Sequence, residues 1–206
     1  EMSGIVTEVG VESNRIKVGD RVCSIVEFGG LAEEGVAYEA NTFVIPDSLE
    51  FHRAICFTSS YSTSCAALTW SHQLNVQPGD TLLVHGGAGG VGIAAIEIGK
   101  ILDAEVIATV GSEEKMAIAE AHGADHVINY KEKEFVKEIW GLYEKPHRRR
   151  YTGGVDMVVN FTGGDTWVPS LRSLKRGGRM LTCGATAGYD PQTDLRFIWT
   201  FELQIL

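Results

Sequence analysis

A glycine-rich segment between an apolar run and a helix-like pattern constrains the fold of this chain more than any other feature. Its glycines follow a Gly-x-Gly-x-x-Gly spacing at Gly87, Gly89 and Gly92. The apolar run Leu82-Leu83-Val84 precedes them, and residues 93–102 follow with helical spacing of apolar side chains. After a strand and before a helix, such glycines allow a tight turn, a close backbone approach to a pyrophosphate and close packing of the helix on the sheet. The segment therefore predicts dinucleotide binding, with a purely structural turn as the alternative.

The first turn of that helix is the expected phosphate site. Free backbone N–H groups and the positive end of the helix dipole both favour an anion at a helix N-terminus. The pattern is not a P-loop, because no Gly-Lys-Ser/Thr sequence follows. The candidate cofactor-binding residues of this segment are Gly87, Gly89, Gly90, Val91 and Gly92.

From about residue 75 onward, strand-like and helix-like segments alternate, which predicts an α/β fold with a Rossmann-type, doubly wound parallel sheet. The predicted strands are 81–86, 105–110, 126–130, 155–161, 179–183 and 203–206, and the predicted helices are 93–102, 113–122, 131–143 and 167–174. Residues 1–60 show short strands with glycine turns and no helical pattern. We therefore predict an all-β piece over residues 1–60 and a dinucleotide-binding domain over residues 61–206.

Composition narrows the possible partners. The 206 residues carry a formal net charge of −9, which argues against a general nucleic-acid surface or an anionic membrane surface. No apolar run approaches the roughly 18 residues of a membrane span, and the start of the chain has no signal-peptide pattern. The four scattered cysteines are expected to be free thiols, so we expect a cytoplasmic protein. The one basic cluster, residues 145–150, is interpreted as a solvated loop, with a polyanion contact as the alternative.

The end of the second predicted strand bears on the choice between NAD and NADP. NAD sites usually carry an acidic residue there for the ribose 2′-hydroxyl, whereas this chain has Gly111 and then Ser112. Ser112 and Lys115 are able to donate to a 2′-phosphate, so we expect NADPH, with NADH less favoured. The alternatives are that Ser112 only caps the next helix and Lys115 is solvated, or that Glu113 or Glu114 serves the ribose.

Several short motifs together resemble the medium-chain dehydrogenase/reductase superfamily and, within it, the quinone-oxidoreductase-like branch. They are Gly19-Asp20-Arg21-Val22, residues 76–80, 85–92 and 111–115, Gly123-Ala124-Asp125, Ile128-Asn129-Tyr130, Gly154-Val155-Asp156 and Gly177-Gly178-Arg179. The resemblance implies that residues 1–60 are part of a GroES-like catalytic domain and that Tyr130 lies near the 2′-phosphate. It also implies that the nicotinamide half of the cleft is lined by Thr63, Phe161, Thr162, Gly184 and Ala185.

Members of that superfamily differ in whether they bind zinc. Cys23 is the single cysteine in residues 23–41, where zinc alcohol dehydrogenases have a cysteine-rich lobe, and Ser59 stands where their third catalytic ligand is a cysteine. His122 and His126 are interpreted as a helix end and a strand start rather than as metal ligands. We therefore expect a zinc-independent protein with no metal site.

The resemblance implies hydride transfer from NADPH to a small-molecule electron acceptor, a quinone or an α,β-unsaturated carbonyl. A zinc-type alcohol dehydrogenase is the first alternative, and a non-catalytic, NADPH-binding regulatory protein is the second. No general acid is identified, since Tyr61 and Ser59 are candidates by position alone and packing explains both. The resemblance further implies a homodimer formed through residues 203–206, and a length of 206 residues that is only part of a dehydrogenase.

Overall fold

The computed structural model describes all residues, 1–206. The strands are β1 (Met2–Ile5), β2 (Arg21–Ser24), β3 (Thr42–Val44), β4 (Thr81–His85), β5 (Glu105–Val110), β6 (His126–Asn129), β7 (Val155–Val159), β8 (Leu174–Leu181) and β9 (Gln204–Ile205). The helices are α1 (Phe51–Ala54), α2 (Ser60–Thr69), α3 (Gly90–Ile101), α4 (Glu113–Ala121), α5 (Phe135–Tyr143), α6 (Trp167–Ser173) and α7 (Leu195–Phe201). The chain divides into two compact units, Glu1–Thr63 and Ser64–Leu206.

The first unit is built on a three-stranded antiparallel sheet in the order β1-β2-β3. Cys23, Ile45 and Ala54 form its small buried core. The expectation that residues 1–60 carry no helix was wrong, because α1 supplies Ala54 to this core. Four residues make one helical turn, which is too short for the periodic pattern by which a helix is recognised in a sequence.

The second unit is a six-stranded parallel sheet in the order β6-β5-β4-β7-β8-β9, which confirms the predicted α/β class and is the 3-2-1-4-5-6 order of a Rossmann sheet. Both faces are covered. Leu82 and Val84 of the central strand pack into one apolar cluster, and Leu83 between them packs into another on the opposite face. Burial on both faces explains why the central strands read as continuous apolar runs.

Two element boundaries differ from the prediction in ways that matter for the site. The helix expected over residues 131–143 begins only at Phe135, and residues 131–134 form a turn instead. The strand expected over residues 179–183 begins at Leu174, and its pairing with β7 is irregular between Val155 and Met157. Gly177 and Gly178 lie in this irregular stretch, where glycine marks a bulge rather than a strand end.

Asp156 ties the two central strands together near their amino ends. Its Oδ2 atom accepts hydrogen bonds from the Thr81 backbone N–H at 3.0 Å and from the Thr81 hydroxyl at 2.7 Å. Lys175 forms an ion pair with the other carboxylate oxygen. The lysine and the Thr81 donors hold the pKa of Asp156 below its usual range despite opposing desolvation. Strands β4 and β7, which are 75 residues apart in the chain at this contact, are thereby fixed side by side.

The remaining expectations concern the cysteines, the basic cluster, two histidines and the helices. All four cysteines are free thiols, and the basic residues Arg148, Arg149 and Arg150 lie in an exposed loop. His122 follows the last residue of α4 and bonds Glu97, and His126 begins β6 and bonds Glu105. None of the helices combines the length and the apolar character that a membrane crossing requires.

Candidate dinucleotide site

The turn between β4 and α3 has the close contacts that its glycines were expected to permit. Gly86 adopts a φ of +66°, a left-handed conformation in which a side chain is strained. A Cβ atom at Gly87 would stand 2.8 Å from the Cβ atom of Ala108, and one at Gly92 would overlap the carbonyl oxygen of Gly86. The turn therefore folds back tightly on itself, and α3 starts directly against the sheet.

Helix α3 presents unpaired backbone donors at its first turn. Gly89 is the N-cap residue and provides no side-chain hydrogen bond. The first N–H group to bond back is that of Ile93, which donates to the Gly89 carbonyl at 2.8 Å. The N–H groups of Gly90, Val91 and Gly92 have no acceptor within the helix, which is the arrangement that binds phosphate at a helix N-terminus. This cradle fits a dinucleotide pyrophosphate.

The end of β5 forms a second polar position. Gly111 lies beside the hydroxyl end of Tyr130, since a Cβ atom on Gly111 would be 2.7 Å from the Tyr130 hydroxyl oxygen and 3.5 Å from Cε of Lys131. Ser112 caps α4, because its hydroxyl oxygen accepts the Lys115 backbone N–H at 3.3 Å. As an acceptor in the cap, the Ser112 hydroxyl keeps its own proton for donation to a ligand. No acidic residue occupies the strand end itself.

A second turn, after β7, faces the glycine turn. Asn160 is fully buried, and its Oδ1 atom accepts the backbone N–H groups of Thr162 at 3.0 Å and Gly163 at 2.9 Å. Thr162 lies over the glycine turn, because its hydroxyl oxygen would be 4.0 Å from a Cβ atom on Gly86. The glycine turn follows β4 and the second turn follows β7, and these two parallel strands are neighbours at the point where the strand order reverses. Open α/β sheets bind their ligands at this point.

A buried polar network connects these turns. His85 Nδ1 lies 2.8 Å from the Thr109 hydroxyl, and His85 Nε2 lies 2.8 Å from the Ser170 hydroxyl. The Ser170 hydroxyl donates its only proton to the Thr166 carbonyl and accepts a hydrogen bond from the Asn160 amide. Because it has no second proton to donate, it must act as an acceptor toward His85 Nε2 as well. The ring therefore carries its proton on Nε2. Burial lowers the pKa of His85 to about 4, which keeps the ring neutral at pH 7.

A cleft of about 510 Å³ opens beside the second turn. Its lining includes Gly184 and Ala185, which follow the end of β8. Phe161 lies against the same segment, since its carbonyl oxygen would be 3.1 Å from a Cβ atom on Gly184. Cys183 also lines the cleft, and desolvation raises the pKa of its thiol. The cleft has the size of a small-ligand site.

A family model described as "Zinc-binding dehydrogenase" matches residues 90–206, from the first residue of α3 to the last residue of the chain. The chain belongs to this family. The predicted resemblance to the quinone-oxidoreductase-like branch of the medium-chain dehydrogenases/reductases is confirmed by the relatives of the chain. The Quinone oxidoreductase-like protein 2 of Bos taurus is 37% identical over 192 residues, which cover 91% of this chain and 52% of that protein.

Two solved structures extend the comparison. The Escherichia coli quinone oxidoreductase complexed with NADPH is 29% identical, superposes with a TM-score of 0.85, and is matched over 99% of this chain and 60% of its own. A 2-octenoyl-CoA carboxylase reductase in complex with NADP and 2-octenoyl-CoA is 26% identical with a TM-score of 0.86, over 100% of this chain and 54% of its own. The chain spans about half the length of the curated relatives it matches.

Most of the predicted site residues of this zinc-binding dehydrogenase family member fall into three groups. The glycine turn brings together Gly87, Gly89, Gly90, Val91 and Gly92; the end of β5 brings together Ser112 and Tyr130; and Phe161, Thr162, Gly184 and Ala185 lie around the second turn. Lys115 is exposed on α4, and Thr63 lies in α2 within the first unit. No group of three His, Cys, Asp or Glu side chains is arranged to hold a metal ion, although the family description names zinc.

Two residues of the site were missed in the sequence. Asn160, which holds the second turn, directly follows the apolar run Met157-Val158-Val159, and a polar residue at the end of a buried parallel strand is a usable signal. Lys131 was assigned to the start of a helix, but the structure places it in the turn beside Gly111.

Proposed function

We propose that this chain binds NADPH across the carboxyl ends of β4, β5 and β7. One observation carries the proposal: the glycine turn with free helix N–H groups follows β4, and the neighbouring strand β5 ends in a glycine beside the Tyr130 hydroxyl, with no acidic residue at that strand end. The cradle suits the pyrophosphate, and the open strand end suits a 2′-phosphate rather than a free 2′-hydroxyl. Complexes of two solved relatives with NADPH or NADP support the same cofactor.

In this proposal, the nicotinamide half of the cofactor binds at the second turn, in the cleft beside it. Gly184 and Ala185 line that cleft, and Phe161 and Thr162 belong to the second turn beside it. All four are proposed to line the nicotinamide ring, and Thr63 of α2 is proposed as a further contact. Asn160 is a positioning residue, since it binds the backbone of the turn and is itself fully buried. A turn fixed by two backbone hydrogen bonds holds its ligand at a defined distance from the reacting partner, which is a large part of the advantage of an enzyme site.

The proposed reaction is hydride transfer to an electron-poor acceptor. When bound, NADPH supplies a hydride to a quinone or an α,β-unsaturated carbonyl, and the acceptor takes up one proton, leaving NADP⁺ and the reduced product. The protein is proposed to contribute the orientation of the two reactants.

The whole protein is proposed to act as an NADPH-dependent quinone or enone reductase. The names of its relatives support this assignment over an alcohol dehydrogenase. Residues 1–60 are proposed as part of a GroES-like catalytic domain that precedes the dinucleotide-binding domain over residues 61–206.

A cytoplasmic location is proposed, because the four free thiols of the chain suit a reducing environment. A homodimer is proposed through the edge strand β9, which has a neighbour, β8, on one side.

Two measurements test the proposal in sequence. Titration of the 206-residue chain with NADPH, followed by cofactor fluorescence, is expected to give saturable binding that is tighter than for NADH. The oxidation of NADPH by the whole protein, of which this chain is expected to be a part that is inactive alone, is then followed with a panel of quinones, enones and simple aldehydes, and turnover is expected with the first two classes. Binding without turnover for any acceptor would favour the non-catalytic alternative, and turnover only with alcohols and aldehydes would favour the dehydrogenase alternative.

A further inference from the structure

We propose that an apolar cavity between helices α5, α6 and α7 is a binding site for a small amphipathic carboxylate, a molecule with an apolar body and one anionic end. We name it the helix cavity, and its lining includes Trp140 of α5, Leu171 and Arg172 of α6, and Phe197 and Phe201 of α7. The helix cavity has a volume of about 240 Å³ and shares no lining residue with the cleft beside the second turn. It is therefore a second site, separate from that of the proposed cofactor.

The interior of the helix cavity is apolar. Leu171 and Leu174 are its most buried lining residues, each 1% exposed, and the rings of Trp140 and of the two phenylalanines of α7 lie around them. The indole Nε1–H of Trp140 donates to the Arg172 carbonyl at 3.3 Å, which ties α5 to α6 and leaves the indole no donor for a ligand. Apolar cavities of this order of size take up apolar molecules.

Two exposed cations line the same cavity. Nζ of Lys145 lies 4.9 Å from the centre of the Trp140 ring, and Cζ of Arg172 lies 6.0 Å from the centre of the Phe197 ring. A cation over the face of an aromatic ring is attracted by the electrons of the ring. The rings of the cavity therefore hold both charges beside its apolar interior.

The loop that carries Lys145 is anchored to the rest of the unit. Helix α5 ends at Tyr143, and Glu144 turns the chain back with a left-handed φ of +65°. The Glu144 carbonyl accepts the Gly154 backbone N–H at 3.0 Å, so the residue before Lys145 is fixed. Of the basic residues in the cluster 145–150, Lys145 is the one that lines the cavity. The cluster thus contributes one charge to the site.

Neither Lys145 nor Arg172 has a carboxylate partner within 4.0 Å, and no acidic residue lines the cavity. The ion pairs that carboxylates form at α5 and at both ends of α7 use other cations, which are Lys133, Lys137, Arg176 and Arg196. The chain as a whole carries a net charge of −9, which repels anions. Two cations without an ion-pair partner make this cavity a favourable place for an anionic group.

The combination of charge and apolar surface defines the class of ligand. Ammonium and guanidinium groups form charge-assisted hydrogen bonds with a carboxylate, and the planar arginine fork fits its two oxygens. An ion that is charged throughout does not suit the interior, because its charges would lose water without gaining donors. The helix cavity has less than half the volume of the cleft of about 510 Å³, which suits a short aliphatic or aromatic carboxylate.

Octanoate is the probe, and two further ligands each lack one half of it. 1-Octanol has the apolar body without the charge, and acetate has the charge without the body. Dissociation constants for the 206-residue chain are measured by calorimetry at low ionic strength. Octanoate is expected to bind at one site, 1-octanol about threefold to tenfold more weakly, and acetate more than about tenfold more weakly. Acetate binding as tightly as octanoate, or 1-octanol binding as tightly, would overturn the inference.

Lys145→Gln and Arg172→Gln remove the two charges one at a time. Each is expected to raise the Kd of octanoate by about threefold to tenfold and to leave that of 1-octanol unchanged, since only the charged end loses a contact. Lys137→Gln and Arg196→Gln are the matched controls, because they remove the same charges from α5 and α7 outside the cavity. Melting temperatures check that each variant folds. An equal loss of octanoate affinity in the controls would mean general attraction to the surface and would overturn the inference.

Two other occupants of the cavity are tested with the same probe. Octanoate affinity that falls as the chain is concentrated would mean that a second copy covers the cavity. Binding to the 206-residue chain that is lost in the whole protein would mean that another part of that protein covers it. Either result would overturn the inference, and undiminished binding in both measurements would support it. The titrations contain no dinucleotide, so their outcome is independent of the proposed function.

Discussion

Single glycines decide whether the cofactor turn forms at all. Gly92→Ala places a methyl group against the carbonyl of Gly86. Because that carbonyl belongs to the backbone, it can move only if the turn opens. We expect loss of NADPH binding together with a lower melting temperature, measured by fluorescence titration and thermal unfolding. Gly141→Ala is the control, because nothing lies within 4 Å of its new methyl group on the exposed side of α5. That substitution is expected to stabilise the chain by about 0.5–1 kcal/mol. NADPH binding by Gly92→Ala with normal affinity would contradict this account.

His85 makes the stability of the chain sensitive to acid. Its pKa of about 4 lies below the value near 6.5 of an unfolded histidine, so the unfolded chain takes up a proton first as the pH falls. The contribution of His85 to stability is fully present above pH 6.5 and is lost between about 6.5 and 4, by about 1.4 kcal/mol per pH unit. Urea unfolding at several pH values is expected to show this slope in the wild type and a shallower one in His85→Gln. Equal slopes would mean that the ring is not desolvated in solution.

At the scale of an element, two roles of Ser112, the N-cap residue of helix α4, can be separated by substitution. Ser112→Ala removes the cap and is expected to lower the free energy of unfolding by about 1 kcal/mol. Ser112→Asp keeps a capping oxygen but places a negative charge at the end of β5, where the 2′-phosphate is proposed to bind. We expect Ser112→Asp to melt like the wild type and to lose NADPH affinity by about tenfold, with NADH affinity retained. Unchanged NADPH affinity in Ser112→Asp would place the phosphate elsewhere.

Elements with a long, regular pattern were predictable from the sequence, and those defined by a few residues were not. The continuous apolar run before the glycine turn predicted β4, because a strand buried on both faces has no polar alternation. Helix α1 and the turn that displaced the start of α5 depend on one helical turn and on the side chain of Asn129, respectively. Neither leaves a periodic signal of the length that such a prediction requires.

The residues of the candidate site also differ in whether the sequence alone could reveal them. Gly87, Gly89 and Gly92 are recognisable because the turn they form is local in the chain. Asn160 binds the backbone of its own turn, but only the strand order brings that turn to the glycine turn. Lys131 likewise lies beside Gly111 only because of the strand order. Their roles follow from β7 lying beside β4 and from β6 lying beside β5, which no short window of sequence contains.

At the scale of the whole molecule, the free edge of β9 is the place where two copies are proposed to meet. The Leu206 backbone N–H donates to Met180 in β8, so by alternation the N–H of Ile205 points to the free edge. We expect Ile205→Pro to shift a concentration-dependent dimer toward monomer in sedimentation equilibrium, with little change in the folded monomer. Gln204→Ala, an exposed position of the same strand, is expected to leave the equilibrium unchanged. A wild-type chain that stays monomeric at high concentration would contradict the proposed dimer.

The Asp156 link between β4 and β7 also bears on when the cofactor site can exist during synthesis. Strand β4 and its glycine turn leave the ribosome before β7, because Asp156 follows Thr81 by 75 residues. Contacts so distant in the chain close slowly, because the loop between them must first lose its freedom. A nascent chain that stops before β7 therefore carries the complete glycine motif without the neighbouring strand that forms the other wall of the crevice. We therefore expect the ability to bind NADPH to arise only after β7 has been made, when most of the residues proposed to contact the phosphates are already part of the chain.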